Sequence, residues 1–238
     1  MSSNKPFYFK QFTIYDHSST MKVNTDGVLL GALVPNNNYR NILEIGCGAG
    51  YISIMLAQTN INANIVAIDI DKYSIEQVNY NFRNCKWSNR LAAYNISLEK
   101  FALVTNQNFD LIVSNPPFYL EDYKSINTKN YIAKHTTYMN FSNFLSSASH
   151  LLTQNGKLWI IISFNSYNTL IKIARDYYLF PSKQINIIPR VNKNISRIVL
   201  CLEKKLIFPV ETKSLTIRNE DLSYTNEFLE LTRDFLIL

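Results

Sequence analysis

The succession of apolar runs predicts an α/β protein on a doubly wound, mostly parallel sheet that finishes in an antiparallel strand. Three observations carry this. Short apolar runs alternate with helical patterns from Asn41 to about residue 178, and strands separated by helices close as parallel neighbours through right-handed crossovers. A glycine-rich turn, Gly46-Cys47-Gly48-Ala49-Gly50, joins the first of these runs to a helix. Two late strands, near 184–188 and 196–202, have little between them, which suits an antiparallel pair.

Each element has its own warrant. Residues 1–20 are an arm in which aromatics interleave with lysine: Lys5, Phe7, Tyr8, Phe9, Lys10, Phe12, Tyr15. The alternation from Phe7 to Ile14 predicts an edge strand or hairpin, its rings packed on the domain in preference to stacking on bases. Met21-Lys22-Val23-Asn24-Thr25-Asp26-Gly27 leads into the apolar run Val28 to Leu33, a short buried helix with Thr25 or Asp26 as N-cap and Pro35 beyond its end. Ile42 to Ile45 is a strand, Tyr51 to Ala57 a helix, and Ile65 to Ile68 a second strand ending at Asp69. A helix over 74–84 follows, then strands over 91–94 and 109–113, a helix over 140–153, and a strand over 157–162 with Gly156 as the turn before it. A helix over 166–178 precedes the late strands. The tail, Asp221 to Leu238, reads as a final helix with Phe228, Leu231 and Phe235 on one face. No linker or repeat interrupts the chain, so 1–238 is expected to be a single domain.

Composition removes several classes. Hydrophobic residues at 47% and charged ones at 18% give the balance of a globular protein, and no apolar run reaches the length of a membrane span. The amino terminus lacks a signal peptide's apolar core, so a cytoplasmic location is expected. Cys47, Cys85 and Cys201, with His17, His135 and His150, match neither a disulfide framework nor a zinc spacing, and no metal is expected. The net charge of +6 suits a polyanionic partner. The bias sharpens between Lys183 and Lys213, where Lys183, Arg190, Lys193, Arg197, Lys204, Lys205 and Lys213 face only Glu203 and Glu211, a candidate phosphate-binding face. Nothing in the residues fixes an oligomeric state.

Two stretches carry chemistry. Gly46, Gly48 and Gly50 after a strand let the backbone turn tightly against a ligand. Asp69, at the end of the next strand, offers a carboxylate to two ribose hydroxyls, and Glu44 is a buried acid able to orient the turn. The spacing is one residue short of the dinucleotide fingerprint, and no phosphate-binding lysine follows, so a nucleoside without phosphates fits better. The second stretch is Ser114-Asn115-Pro116-Pro117-Phe118, behind the strand Phe109 to Val113. Two prolines withhold two N–H donors and leave the Asn115 amide and nearby carbonyls pointing out of the sheet edge, where open α/β sheets bind ligands. With the flat face of Phe118 alongside, the parts suit a planar ring bearing an amino group.

Together, Glu44 to Gly50, Asp69 and Asn115 to Phe118 resemble the S-adenosylmethionine-dependent methyltransferases, and the Asn-Pro-Pro-aromatic motif resembles members that methylate exocyclic or amide nitrogens. Met21 to Gly31, Tyr224 to Phe228 and Thr232 to Phe235 are similar to the bacterial family that modifies N6 of an adenine beside the anticodon of a valine tRNA. The resemblance implies a seven-stranded Rossmann-like sheet, S-adenosyl-L-methionine as cofactor and tRNA as partner. It assigns the cofactor to Thr25, Asp26, Glu44, Gly46, Gly48, Gly50, Asp69 and Asn95, and catalysis to Asn115, Pro116, Pro117 and Phe118. The RNA would fall to Lys22, Phe118, Arg190, Lys193 and Arg197. Three positions depart from the pattern. Asn24 stands where glycine is usual, a residue that tolerates the left-handed region; Asn95 replaces the acid expected for the cofactor's adenine; Phe118 stands where tyrosine is as common. His135 falls in the loop after the motif, where a substrate lid would sit, and is read as structural or solvent-exposed in preference to catalytic. Other targets share the motif: a guanine of ribosomal RNA, a DNA adenine, or a protein glutamine. A non-catalytic nucleoside-binding module and a nicotinamide dehydrogenase are the readings from other classes.

Overall fold

Leu43 and Ile45 point to one face of a central sheet while Ile42 and Glu44 point to the other, and all four are buried. Side chains that alternate across a strand and are buried on both faces require a layer of helices on each side. A computed structural model describes residues 5–116 and 140–238. Its main sheet has the order β10-β8-β9-β7-β6-β3-β4-β5, with β3 at Asn41–Ile45, β4 at Asn64–Asp69, β5 at Leu91–Asn95, β6 at Phe109–Ser114 and β7 at Leu152–Ser163. Beyond these lie β8 at Phe180–Ile188, β9 at Arg197–Glu203 and β10 at Glu211–Thr216. The strands β1 (Phe7–Tyr8) and β2 (Thr13–Ile14) form a separate hairpin.

One layer holds this hairpin with the helices α1 (Thr25–Leu33), α2 (Tyr51–Thr59), α3 (Lys72–Arg83) and α7 (Asn226–Thr232). The other holds α4 (Leu98–Val104), α5 (Phe141–Leu151) and α6 (Tyr167–Asp176). Leu111 and Val113 of β6 serve the first layer, Ile112 the second, and Trp159 with Ile161 against Leu158, Ile160 and Ile162 repeats the division on β7. Each such fully buried side chain contributes about 1.5–3 kcal/mol relative to exposure.

The sheet is mostly parallel, with β9 alone antiparallel to both neighbours, β7 and β8. The expected antiparallel strand is therefore β9, wedged inside the sheet, and the count is eight where seven were expected. The added β10 runs parallel to β8; its first four residues are exposed, so it lacks the apolar pattern that marks a strand in sequence. Gly156 is not a turn but lies within β7, where a Cβ would come 2.8 Å from the Phe109 carbonyl oxygen. The register slips there, Phe109 pairing with Leu152 and Leu111 with Lys157, so the glycine admits a close crossing of backbones.

Three terminal details also differ. The N-cap of α1 is Asn24, whose side chain accepts from the Gly27 N–H; Thr25 and Asp26 are already inside the helix. Asn24 has φ −142°, extended backbone with no call for a glycine. The closing helix covers only Asn226–Thr232, capped by Thr225, with Phe228 and Phe235 buried and Leu231 half-buried. The arm packs as expected: Phe9 stacks on Phe12 at 4.3 Å and Phe12 meets Trp87 edge-on at 6.2 Å.

Candidate functional site

The carboxyl ends of β3, β4, β5, β6 and β7 all lie at one edge of the sheet because these strands are parallel. That edge gathers the glycine turn after β3, Asp69 ending β4, Asn95 ending β5 and Asn115 just after β6. The antiparallel β9 begins there, Arg197 pairing with Ser163 at the end of β7. The loop between β8 and β9, with Arg190 and Lys193, belongs to the same edge.

All three turn glycines have positive φ: +71° at Gly46, +52° at Gly48 and +79° at Gly50, a region that costs other residues steric strain. A Cβ at Gly46 would meet nothing within 4 Å, so the turn faces open space there. At Gly50 it would come 2.9 Å from the Phe82 ring, so this glycine lets α2 start close against α3. The turn's N–H groups are largely spent within the protein. Gly46 and Cys47 donate to Ile68 O, Gly50 to Cys47 O, and Gly48 to Asp69 Oδ2 at 2.9 Å. Such a turn is a poor nest for an anion. It suits a ligand with hydroxyls and a positive centre rather than a pyrophosphate.

Asp69 also accepts from the Asp71 N–H at 2.9 Å, which holds both its oxygens at the sheet edge with lone pairs to spare. Burial raises its pKa, opposed by these backbone donors. Glu44 is 1% exposed. Its Oε2 accepts from the Ser53 N–H at 2.9 Å and from the Ser53 hydroxyl, joining β3 to the first turn of α2. Its Oε1 has no hydrogen-bond partner, and burial pushes its pKa up to about 8. Asn95 donates its Nδ2 to Asp69 O at 3.0 Å and Ile70 O at 2.9 Å, which turns its Oδ1 away from that backbone as an acceptor.

Ser114 Oγ donates to Ile45 O at 2.8 Å, bracing the end of β6 against the strand that enters the glycine turn. Asn115 is half-buried and Pro116 buried beyond that brace. Pro117, Phe118 and His135 lie outside the described residues. Thr25 and Lys22 are exposed at the mouth of the edge, and Asp26 is engaged by Arg197, Nε to Oδ2 at 2.8 Å.

The basic stretch divides. Arg190, Lys193 and Arg197 reach the carboxyl edge, whereas Lys183, Lys204, Lys205 and Lys213 go to the other half of the sheet. Lys183 and Lys213 both pair with Glu211, at 2.7 and 2.9 Å, and Lys204 donates to Leu152 O at 2.8 Å. A single face over Lys183 to Lys213 is thus corrected to a smaller one. Residues that sequence reasoning missed are Ser53 and the α3 side chains Ser74, Gln77 and Asn81. A run of polar residues spaced three and four apart on an otherwise apolar helix face was the available signal. Among the described residues no group of His, Cys, Asp and Glu could hold a metal ion, and no helix is long and apolar enough to cross a membrane.

Glycines that open the backbone, a carboxylate at the next strand end, and the absence of an anion nest fit S-adenosylmethionine, with Gly46, Gly48, Asp69 and Asn95 as the residues that would hold it. The class so defined is a methyltransferase. A family model described as "Methyltransferase small domain" matches residues 18–175. Two curated relatives, from Flavobacterium johnsoniae and Haemophilus influenzae, are each 36% identical over 232 residues. The match spans 97% of this chain and 99% and 98% of theirs, and both are named tRNA1(Val) (adenine(37)-N6)-methyltransferase. Among solved structures, a predicted O-methyltransferase of Agrobacterium tumefaciens superposes with TM-score 0.69 at 16% identity, covering 88% of this chain and 96% of its own. A ribosomal protein L11 methylase of Lactobacillus delbrueckii gives 0.55 at 15%, covering 81% and 84%. These likenesses establish the fold. The chain belongs to the tRNA1(Val) (adenine(37)-N6)-methyltransferase family, and S-adenosyl-L-methionine is its methyl donor.

Proposed function

We propose that this enzyme transfers a methyl group to N6 of adenine 37, next to the anticodon of tRNA1(Val), in the cytoplasm, and that residues 1–238 act as one catalytic domain. The observation that carries it is the brace from Ser114 to Ile45, because it fixes the Asn115-Pro116 notch beside the turn assigned to the methyl donor. The relatives named above, similar over nearly their full length, support the substrate.

An adenine amino group is a weak nucleophile because its lone pair is delocalised into the ring. The Asn115 side-chain oxygen and the Pro116 carbonyl accept the two amino hydrogens, which favours a pyramidal nitrogen with its lone pair directed out of the ring plane. When bound, S-adenosylmethionine supplies an electrophilic methyl on a sulfonium centre. The chain's contribution is position and acceptors aimed at the positive charge that develops on nitrogen. Phe118 is assigned the face on which the splayed base stacks. A base in an anticodon loop is unstacked at low cost compared with one in a duplex. Arg190, Lys193 and Lys22 are assigned to loop and stem phosphates, with Arg197 bracing Asp26 behind them.

The test is methyl transfer from labelled S-adenosylmethionine to tRNA1(Val) transcripts carrying adenine or guanine at position 37. Digestion and mass analysis should yield N6-methyladenosine from the first only. Label in the second transcript, or in ribosomal RNA, DNA or protein at comparable rates, would assign another target.

A further inference from the structure

We propose that Asn81 is a positioning residue for the cofactor: its buried amide clamps a strap of chain, residues 15–24, onto the glycine turn and so sets the shape that the turn presents. This rests on the reading of Gly46 to Asp69 as the cofactor pocket. Asn81 lies on α3 between Val78 and Phe82 and is 1% exposed. Its Oδ1 accepts from the Tyr15 N–H at 3.0 Å, and its Nδ2 donates to Tyr15 O at 2.8 Å and Ala49 O at 2.9 Å. One side chain therefore bonds the helix to both the strap and the turn.

The clamp is the end of a ladder. Gln77 Oε1 accepts from the Ser18 N–H at 3.4 Å, and Ser74 Oγ from the Thr20 N–H at 3.2 Å. Positions 74, 77 and 81 share a helix face, so the strap runs antiparallel along α3. Ser74 Oγ is tied to Asp71 Oδ2 at 2.7 Å, and the Asp71 N–H to Asp69 Oδ1 at 2.9 Å. The ladder thus reaches from Ala49 in the turn to the carboxylate at the end of β4. Beneath the strap, a Cβ on Gly48 would come 3.3 Å from Met21 Cβ and 3.4 Å from Ser19 Oγ, so the strap lies directly on the turn. Asp16 closes the strap by accepting from the Val23 N–H at 3.0 Å, which delivers Lys22 to the mouth of the edge. Without Asn81, the Tyr15 and Ala49 backbone groups lose these partners, and the hydrogen-bonded link between turn and strap at that end is broken.

The experiment is calorimetric titration of S-adenosylhomocysteine into Asn81→Ala, Asp69→Asn and Leu145→Ala, with steady-state methylation and melting curves on each. Leu145 is fully buried in the opposite layer and reports destabilisation alone. Loss of the clamp should weaken S-adenosylhomocysteine and raise the cofactor KM about tenfold, with kcat within about threefold of wild type. Leu145→Ala should lower the Tm without moving the affinity. Unchanged affinity in Asn81→Ala, or an equal shift in Leu145→Ala, overturns the proposal. Unchanged affinity in Asp69→Asn would instead overturn the pocket reading. If Asn81→Ala does not fold, Gln77→Ala releases the strap one rung away and should cost about threefold in affinity; no change there also overturns it.

Discussion

Arg197 at the start of β9 holds Asp26 in the first turn of α1, Nε to Oδ2 at 2.8 Å. Two residues 171 positions apart thereby join the segment before the glycine turn to the carboxyl edge of the sheet. Both side chains are partly exposed, so the pair contributes only about 0–1 kcal/mol to stability. Because the Asp26 carboxylate is engaged by arginine, Asp26→Asn should change S-adenosylhomocysteine affinity by less than about threefold, whereas Asp69→Asn should weaken it by about tenfold or more. Titration calorimetry on the two variants decides it; equal losses would return Asp26 to the cofactor.

The division of the basic stretch predicts which cations meet RNA. Replacing both Arg190 and Lys193 with alanine should weaken tRNA binding and lower the slope of log Kd against log salt by about 1–2 units. Replacing Lys183 and Lys213, which are already paired with Glu211, should leave that slope unchanged. Filter binding across a salt series measures both.

Glu44 predicts a pH dependence. Its carboxyl pKa is pushed up to about 8 in the folded chain by burial, against about 4.3 unfolded. Between these values the unfolded state has lost a proton that the folded state keeps, so stability falls as pH rises through that window and is level outside it. The slope from this group is at most about 1.4 kcal/mol per pH unit. Glu44→Gln keeps an acceptor for Ser53 and cannot ionise, so its denaturation free energy should lose this slope and exceed wild type near pH 8. A wild-type slope retained in the variant would assign the titration elsewhere.

Gly50→Ala should destabilise by about 2 kcal/mol or more, since it combines left-handed strain with the 2.9 Å approach to Phe82. Urea denaturation checks this; a loss under about 0.5 kcal/mol would mean that α2 and α3 separate freely.

Much of the architecture is legible in the residues because its determinants are local. The turn at Gly46 to Gly50, Asp69 closing a β-branched run, and Asn115 behind Phe109 to Val113 each announce themselves within a few positions. What escapes depends on distant partners or on polar strands. The bond from Asn81 to Tyr15 spans 66 residues; the spacing of Ser74, Gln77 and Asn81 marks a polar stripe on the helix but not the segment that covers it. Glu211 to Thr216 is a strand only because β8 offers it an edge. Gly156 imitates a turn because the Phe109 carbonyl that excludes a side chain there comes from another strand. Lys183 and Arg197 read as one basic stretch until the reversal between β8 and β9 sends them to different parts of the sheet.

The central claim is that the amide beyond β6 holds the amino group to be methylated and does not hold the methyl donor. Measuring single-turnover methyl transfer to tRNA1(Val) and S-adenosylhomocysteine affinity side by side in Asn115→Ala tests it most directly. Transfer should fall by about a hundredfold or more while affinity stays within about threefold of wild type. Turnover close to wild type, or a loss of affinity as large as the loss of rate, would contradict the account.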